Sequence, residues 1–179
     1  MNHHLVSRLA LMSLFALLTS FVRAETLKVG DAAPDVTGVT ETGAKLAFAD
    51  AYKQQPYTLV YFFPKADTPG CTAQGCSLRD AYEQLTQKGV AVIGVSLDQS
   101  ASQKAFKEKY HFPFTLVADP DKTVVNAFGV PTMSVPGMGE LAKRQAFLIK
   151  DGKIIWADYK AKTKEQAADV LKVIDAQKS

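Results

Sequence analysis

The sequence is poor in the side chains that bind metals or activate nucleophiles. It has two cysteines, Cys71 and Cys76, and three histidines, of which only His111 lies beyond the first few residues. A stable zinc site generally uses four ligands, so these residues supply a poor set for one. The sequence also carries no flavin, nicotinamide or haem motif. Any electrons that the protein handles must therefore come through protein thiols, and we expect no cofactor.

Long hydrophobic runs are missing too. The apolar stretch at 9–22 is 14 residues long, whereas a helix needs about 20 to cross a bilayer. It follows Arg8 and ends in Val22-Arg23-Ala24, which is the order of a secretory signal with small residues before the cut. We therefore expect a signal peptide over residues 1–24, cleavage after Ala24, and a periplasmic or secreted protein. The alternative is an uncleaved membrane anchor.

The excess of positive charge disappears with that segment. Arg8 and Arg23 leave without any acidic residue, so 19 basic and 18 acidic residues remain. Electrostatic attraction to nucleic acid then has no basis, and after cleavage we expect no membrane contact. Residues 25–179 are predicted to form one soluble globular domain, since the chain is 47% apolar and 22% charged.

Apolar periodicity predicts alternating strands and helices, and an Asp-Gly turn predicts a hairpin. After an extended lead-in at 27–42, the predicted order is strand 45–48, strand 57–63, helix 71–88, strand 90–97, helix 103–110, strand 114–117, helix 122–128, hairpin strands 146–149 and 154–156, and helix 164–176. Parallel crossovers followed by an antiparallel hairpin indicate an α/β fold. We expect a thioredoxin-like three-layer sandwich, with a central mixed β-sheet flanked by helices.

The two cysteines lie five positions apart. In an exported protein such a pair could form a structural disulfide. A chain of this length can build its own core, however, and a crosslink that closes so small a loop adds little stability. A chemical role is the better interpretation of the pair.

Cys71 follows a predicted turn at the start of a helix. Pro69 and Gly70 predict that turn, which would place Cys71 in the first helical turn. Unpaired N–H groups and the helix dipole favour an anion there. A free thiol has a pKa of about 8.5, and such surroundings can lower it to roughly 3.5–7.5. We therefore expect Cys71 to act as a thiolate nucleophile.

A histidine base is the other common way to activate a cysteine. His111 is the only candidate, and it lies between Tyr110 and Phe112 at a predicted helix end. We interpret it as structural, because a lone histidine beside aromatic residues usually has a packing role.

The pattern Pro64-x-x-x-Thr68-x-x-Cys71 resembles the active-site signature of the peroxiredoxins. The resemblance implies that Cys71 attacks the O–O bond of a peroxide, that Thr68 orients the sulfur and the substrate, and that Pro64 shields the pocket from water. The family also uses an arginine that holds the thiolate and the substrate. Arg144, just ahead of the predicted hairpin, matches its position.

Cys76 is the only other thiol, and a sulfenic acid on Cys71 would need one for recycling. The Cys-x4-Cys pair resembles the peroxiredoxin Q or bacterioferritin comigratory branch, as do the segments 76–80, 128–130 and 147–153. The resemblance spans about residues 27–175. It implies hydrogen peroxide and organic hydroperoxides as substrates, an intramolecular Cys71–Cys76 disulfide, and a thioredoxin-like or glutaredoxin-like protein reductant. Because a disulfide within one chain removes the need for a dimer, we expect a monomer. The segment 131–143 does not match this branch.

Cysteines five apart on an intact helix have Cα atoms about 8–9 Å apart. A disulfide tolerates at most about 7 Å. The spacing therefore predicts that the first turns of the helix unwind before Cys71 and Cys76 can join.

Two other functions stay open. An exported thioredoxin-like thiol-disulfide oxidoreductase would carry Cys-x-x-Cys instead, although Val130-Pro131-Thr132 is similar to the proline segment of such proteins. The domain could also be a binding module for unfolded exported proteins. A peroxide-consumption assay beside a disulfide-reduction assay separates a peroxidase from the oxidoreductase.

Overall fold

The computed structural model describes residues 25–177. The expected signal peptide at 1–24 lies outside the described residues, so cleavage after Ala24 stays a prediction that the mass of the purified chain can check. Along residues 25–177, no helix is both long enough and apolar enough to cross a membrane. The elements in chain order are β1 (Thr37–Thr40), β2 (Lys45–Ala47), α1 (Phe48–Ala51), β3 (Tyr57–Phe62), α2 (Pro69–Asp80), α3 (Tyr82–Gln87), β4 (Val90–Ser96), α4 (Ser100–Tyr110), β5 (Thr115–Ala118), α5 (Thr123–Ala127), β6 (Thr132–Val135), β7 (Gly139–Ala142), β8 (Gln145–Lys150), β9 (Lys153–Asp158) and α6 (Gln166–Ala176).

Seven strands form the main sheet, in the order β2-β1-β5-β4-β3-β8-β9. Strands β3, β4 and β5 run parallel, and β8 pairs antiparallel with β3. Every residue of β3 is buried, which explains why its sequence is continuously apolar rather than alternating. Phe62 pairs with Gln145. The residue before Gln145 is Arg144, so this register brings Arg144 beside the chain that leaves β3.

Helices cover both faces of the sheet. Alternate residues of β3, such as Leu59 and Tyr61, share one buried cluster with side chains of α2, α3, α4 and α6. Their neighbours Val60 and Phe62 point to the other face and pack with α1 and α5. The expected α/β fold, a thioredoxin-like three-layer sandwich with a mixed central sheet, is confirmed.

Several local predictions were wrong. The predicted helix 71–88 is two helices, α2 and α3, which meet at Ala81 (φ −98°, ψ 8°). Leu78 and Leu85 on either side of this break are both fully buried in the same cluster, so the bend keeps the chain against the sheet. Two elements had no prediction: the extended lead-in contains β1, an inner strand of the main sheet, and 131–143 contains the hairpin of β6 and β7.

Smaller differences concern the ends of elements. Helix α4 begins at Ser100 after the N-cap residue Gln99, three residues before the predicted start at 103. Phe48 begins α1 instead of ending a strand. Helix ends fray and are weakly determined by local sequence, so shifts of this size are expected.

The close approach of α2 to Phe112 requires a glycine at position 75. A Cβ there would lie 2.5 Å from the Phe112 Cζ atom. The Phe112 ring is buried, stacks on Phe114 at 5.3 Å, and meets Phe106 edge-on at 4.9 Å, so it has no room to withdraw.

We expect Gly75→Ala to lower the free energy of unfolding by about 1–3 kcal/mol, the usual cost of overpacking. In an open helix the same change would stabilise by about 1 kcal/mol. The sign of the change in unfolding free energy therefore shows whether the Phe112 ring is in close contact. Urea unfolding measures the difference. In a Phe112→Leu background the added methyl has space, and its cost should shrink. A Gly75→Ala variant as stable as wild type would show that the contact is not close.

Candidate active site

The loop after β3 places Cys71 at the start of α2. Thr68 is the N-cap residue, with extended backbone (φ −94°, ψ 152°), and Pro69 occupies the first helical position, for which its fixed φ suits it. Pro69 and Gly70 are thus the first residues of the helix, whereas the sequence predicted a turn ahead of it. Cys71 is in the first helical turn, as predicted. The N–H groups of this turn have no carbonyl partner within the helix and lie at the positive end of its dipole.

A guanidinium faces the sulfur. Arg144 donates a hydrogen bond from Nη2 to Cys71 Sγ over 3.3 Å, and Cys71 is only 2% exposed. Gly70 eases this approach, because a Cβ there would lie 3.3 Å from Arg144 Nη2, a tight contact. Arg144 reaches the site from the residue before β8, where the sequence predicted it. Two positive features, a helix start and a guanidinium, therefore converge on one buried sulfur.

The same guanidinium holds a second residue of α2 that the sequence analysis missed. Arg144 donates from Nη1 to the side-chain oxygen of Gln74. Gln74 lies three positions after Cys71, so both occupy one face of the helix. That spacing was visible in the sequence and was the signal that could have identified Gln74.

Two carboxylates hold the loop that carries the site. Asp98, just after β4, accepts the backbone N–H of Ala66 at 2.7 Å. Asp67 has a left-handed backbone (φ 59°) and accepts from Lys109 Nζ and from the Tyr110 hydroxyl, each at 2.7 Å. These hydrogen bonds, with that of Lys109 the stronger, hold the pKa of Asp67 below its usual value. The loop is thereby tied to the sheet and to α4.

Two further predicted site residues lie in this loop. Pro64 directly follows Phe63 at the end of β3 and is half-buried. Thr68 is also half-buried, and its hydroxyl donates to the Lys65 carbonyl at 2.9 Å. Its one proton is engaged there, so toward any further partner the hydroxyl can only accept a hydrogen bond. The contact of Thr68 with substrate stays a prediction.

The floor beneath the sulfur is aromatic and uncharged. Cys71 packs in the cluster that contains Tyr61, Phe63 and Phe112. Burial raises the pKa of Tyr61 far above its ordinary value, and the proximity of Cys71 adds to the rise. The phenol therefore stays neutral, and water is kept from that side of the site.

Cys76 lies on the same helix and is half-buried. It lines a shallow depression of about 290 Å³ together with Ala73, Ser77, Asp80 and Lys164. Both cysteines are unbridged in this structure. Cys71, whose surroundings favour a thiolate, is thus buried, whereas Cys76 is open to the surface.

His111 takes no part in the site. It is exposed and ends α4 in a left-handed conformation (φ 54°, ψ 44°). Within residues 25–177, no three histidine, cysteine, aspartate or glutamate side chains cluster so as to hold a metal ion.

Comparisons with known proteins agree with this geometry. The model of the AhpC/TSA family matches residues 29–157. The putative peroxiredoxin bcp of Coxiella burnetii is 37% identical over 150 residues, which cover 82% of this chain and 97% of that protein. The peroxiredoxin Bcp of Bacillus subtilis is 34% identical over 152 residues, with 83% and 96% covered. The chain spans 66% of the chloroplastic peroxiredoxin Q of Oryza sativa subsp. japonica, at 35% identity over 149 residues.

Solved structures show the same relationship. Peroxidoxin BcpB from Mycobacterium tuberculosis superposes with a TM-score of 0.78 at 27% identity, covering 86% of this chain and 99% of that one. A cysteine-to-serine mutant of PrxQ from Xylella fastidiosa also gives 0.78 at 27% identity, covering 87% and 99%. The chain therefore belongs to the AhpC/TSA family, as a peroxiredoxin of the Bcp or Q type that its motif resembles.

Proposed function

We propose that this peroxiredoxin reduces hydrogen peroxide and organic hydroperoxides by direct attack of the Cys71 thiolate. The sulfur electron pair forms a bond to one peroxide oxygen, and the O–O bond breaks. The departing oxygen takes a proton and leaves as water or an alcohol, and Cys71 becomes a sulfenic acid. The observation that carries this proposal is the Arg144 guanidinium 3.3 Å from the buried sulfur, at the start of a helix.

The other site residues have supporting roles in this proposal. The proposal assigns no general base, because a thiolate attacks without losing a proton. Arg144 also faces the place where negative charge develops on the departing oxygen, so it stabilises the transition state. Thr68 orients the peroxide, and Pro64 keeps water from the mouth of the pocket.

Cys76 completes the cycle in this proposal. Its sulfur attacks the sulfenic acid, an S–S bond forms, and water is released. A protein dithiol of the thioredoxin or glutaredoxin type then reduces the disulfide by exchange. The surface depression around Cys76 supports this order, because it leaves the second sulfur open to a partner protein. The cycle needs one chain only, which fits a monomer.

Disulfide formation requires α2 to unwind. The helix is continuous from Pro69 to Asp80, through both cysteines. The five-residue spacing gives a Cα separation of about 8–9 Å, beyond the roughly 7 Å that a disulfide spans. Gln74 and Gly75 lie between the two cysteines and must leave their buried positions.

The rival function, thiol-disulfide exchange with other proteins, gains no support from the site. Arg144 is aimed at Cys71, which is 2% exposed. A small molecule such as a peroxide can reach such a buried sulfur, whereas a folded protein cannot.

Single-turnover kinetics test the roles of the two cysteines. We expect Cys71→Ser to abolish rapid reaction with hydrogen peroxide in a stopped-flow experiment. Cys76→Ser should react at the wild-type rate once and then stop as a sulfenic acid, which a dimedone adduct identifies by mass. Rapid peroxide consumption by the Cys71→Ser protein would refute the proposal.

The hydrogen-bonding geometry of the Arg144 guanidinium can be tested separately from its charge. We expect Arg144→Met to slow the reaction with peroxide by about 10²–10³, as loss of one preorganised donor does. Arg144→Lys should fall between this variant and wild type, because a point charge cannot hold Gln74 and the sulfur together. Lys143→Met is the matched control. Lys143 is exposed, so its charge is screened and the rate should stay within about twofold. Equal losses at both positions would indicate a general effect of charge.

Unwinding is visible by amide hydrogen exchange. We expect the backbone amides of 72–79 to lose protection when the protein is oxidised, because the helical hydrogen bonds across this stretch must break. The central strand β3 serves as the internal reference and should stay protected. Equal protection of 72–79 in the reduced and oxidised protein would rule the unwinding out.

A further inference from the structure

A buried pair of glutamine side chains joins α2 to α6. Gln74 donates from Nε2 to Oε1 of Gln166 over 2.5 Å, and both side chains are 0% exposed. Gln166 is the first residue of α6 and is 92 positions from Gln74 along the chain. The contact therefore links the C-terminal helix to the helix that carries the reactive sulfur.

The pair fixes which end of the Gln74 amide faces Arg144. A guanidinium has donors only, so Gln74 must present its oxygen to it. The NH2 end of Gln74 then needs an acceptor elsewhere, and Gln166 Oε1 is that acceptor. With the amide reversed, two donor groups would face each other inside a buried site. The order of donors and acceptors thus runs in one direction, from Arg144 through Gln74 to Gln166.

A glutamine at position 166 lowers stability, which is unexpected if its role is only structural. Among the residues that the structure describes, its buried Nε2 has no acceptor. An unpaired buried donor is unfavourable by about 1–3 kcal/mol, and methionine would fill the same space without it. Residues that reduce stability in this way are found mainly at functional sites.

Other ties between the two helices do not involve Arg144. The Ser77 hydroxyl donates to the Lys164 carbonyl at 3.2 Å and accepts the Ala167 N–H at 3.4 Å. These bonds hold α6 against α2 one turn further from the sulfur. The docking of the helices and the orientation of Gln74 can therefore be disturbed separately.

We propose that Gln166 is a positioning residue for the reactive thiolate, which acts by orienting Gln74 and, through it, the Arg144 guanidinium. The proposal rests on the proposed function in taking Cys71 as the reacting sulfur. Arg144 is hydrogen-bonded to that sulfur, and Tyr61 packs in the same buried cluster. Gln166 changes none of their charges and acts only on geometry.

The test uses the full chain with Cys76→Ser, so that Cys71 is the single thiol. Gln166→Met removes the acceptor at nearly constant volume, and Gln166→Asn keeps an amide that is too short to reach Gln74. Each is combined with Gln74→Met, and Ser77→Ala is the matched control for helix docking. Two quantities are measured: the rate of alkylation by iodoacetamide together with the ultraviolet thiolate absorbance, and the rate of reaction with hydrogen peroxide.

We expect Gln166→Met and Gln166→Asn to slow both reactions by about tenfold. This is the lower end of the loss in activity when a residue that orients an active-site side chain is removed. The thiolate absorbance should fall as well. In the Gln74→Met background, the same changes should have no further effect, because Gln166 acts through Gln74. Ser77→Ala should react like the parent.

Three results would each overturn this inference: wild-type rates for both Gln166 variants, effects that multiply with that of Gln74→Met, or an equal loss in Ser77→Ala. Unfolding midpoints show whether each variant is folded, and the asparagine variant keeps the test open if the methionine variant is not. Alkylation does not depend on peroxide. A parent chain that alkylates rapidly but ignores peroxide would therefore contradict the proposed function alone.

Discussion

The site depends on the register between β3 and β8. Phe62 lies opposite Gln145, and from that pairing Arg144 reaches the sulfur of Cys71 on the helix that follows β3. Side chains alternate across a sheet, so a slip of one residue would turn every side chain of β8 to the other face. Phe147 and Leu148 would exchange clusters, and both are fully buried. The packing of the hydrophobic core on both faces thus determines where the guanidinium lies.

The residues of the sequence motif could be predicted, and so could Arg144, from its place just ahead of the hairpin. Gln74 and Gln166 were missed. Pro64, Thr68 and Cys71 form a motif between the end of β3 and the first turn of α2. The sequence predicted a helix there but began it at Cys71, two residues after its observed start at Pro69. Gln166, by contrast, is 92 positions from Gln74. Only the packing of α6 on α2 brings them together, and no local pattern records it.

The missed strands have a physical explanation as well. β1 is four residues long and contains Gly38, so it has neither the length nor the apolar alternation that predicts a strand. It forms because β2 and β5 offer backbone partners on either side. In the hairpin of β6 and β7 only the adjacent residues Leu141 and Ala142 are buried, so its sequence does not alternate between apolar and polar residues. Tertiary pairing decides such segments, whatever their intrinsic propensity.

The helix that activates the sulfur is also the helix that oxidation must undo. Gln74 lies between Cys71 and Cys76, so the unwinding proposed for disulfide formation removes it from Arg144 and from Gln166 together. The guanidinium then loses both of its partners on α2, at the stage of the cycle when no thiolate remains to be held. Reduction restores the thiol and lets the helix reform, and the amide of Gln74 must then find its acceptor on α6 again. Under this proposal, the same hydrogen-bonded chain that orients the reduced site also favours its refolding, because only the intact helix satisfies the buried amide.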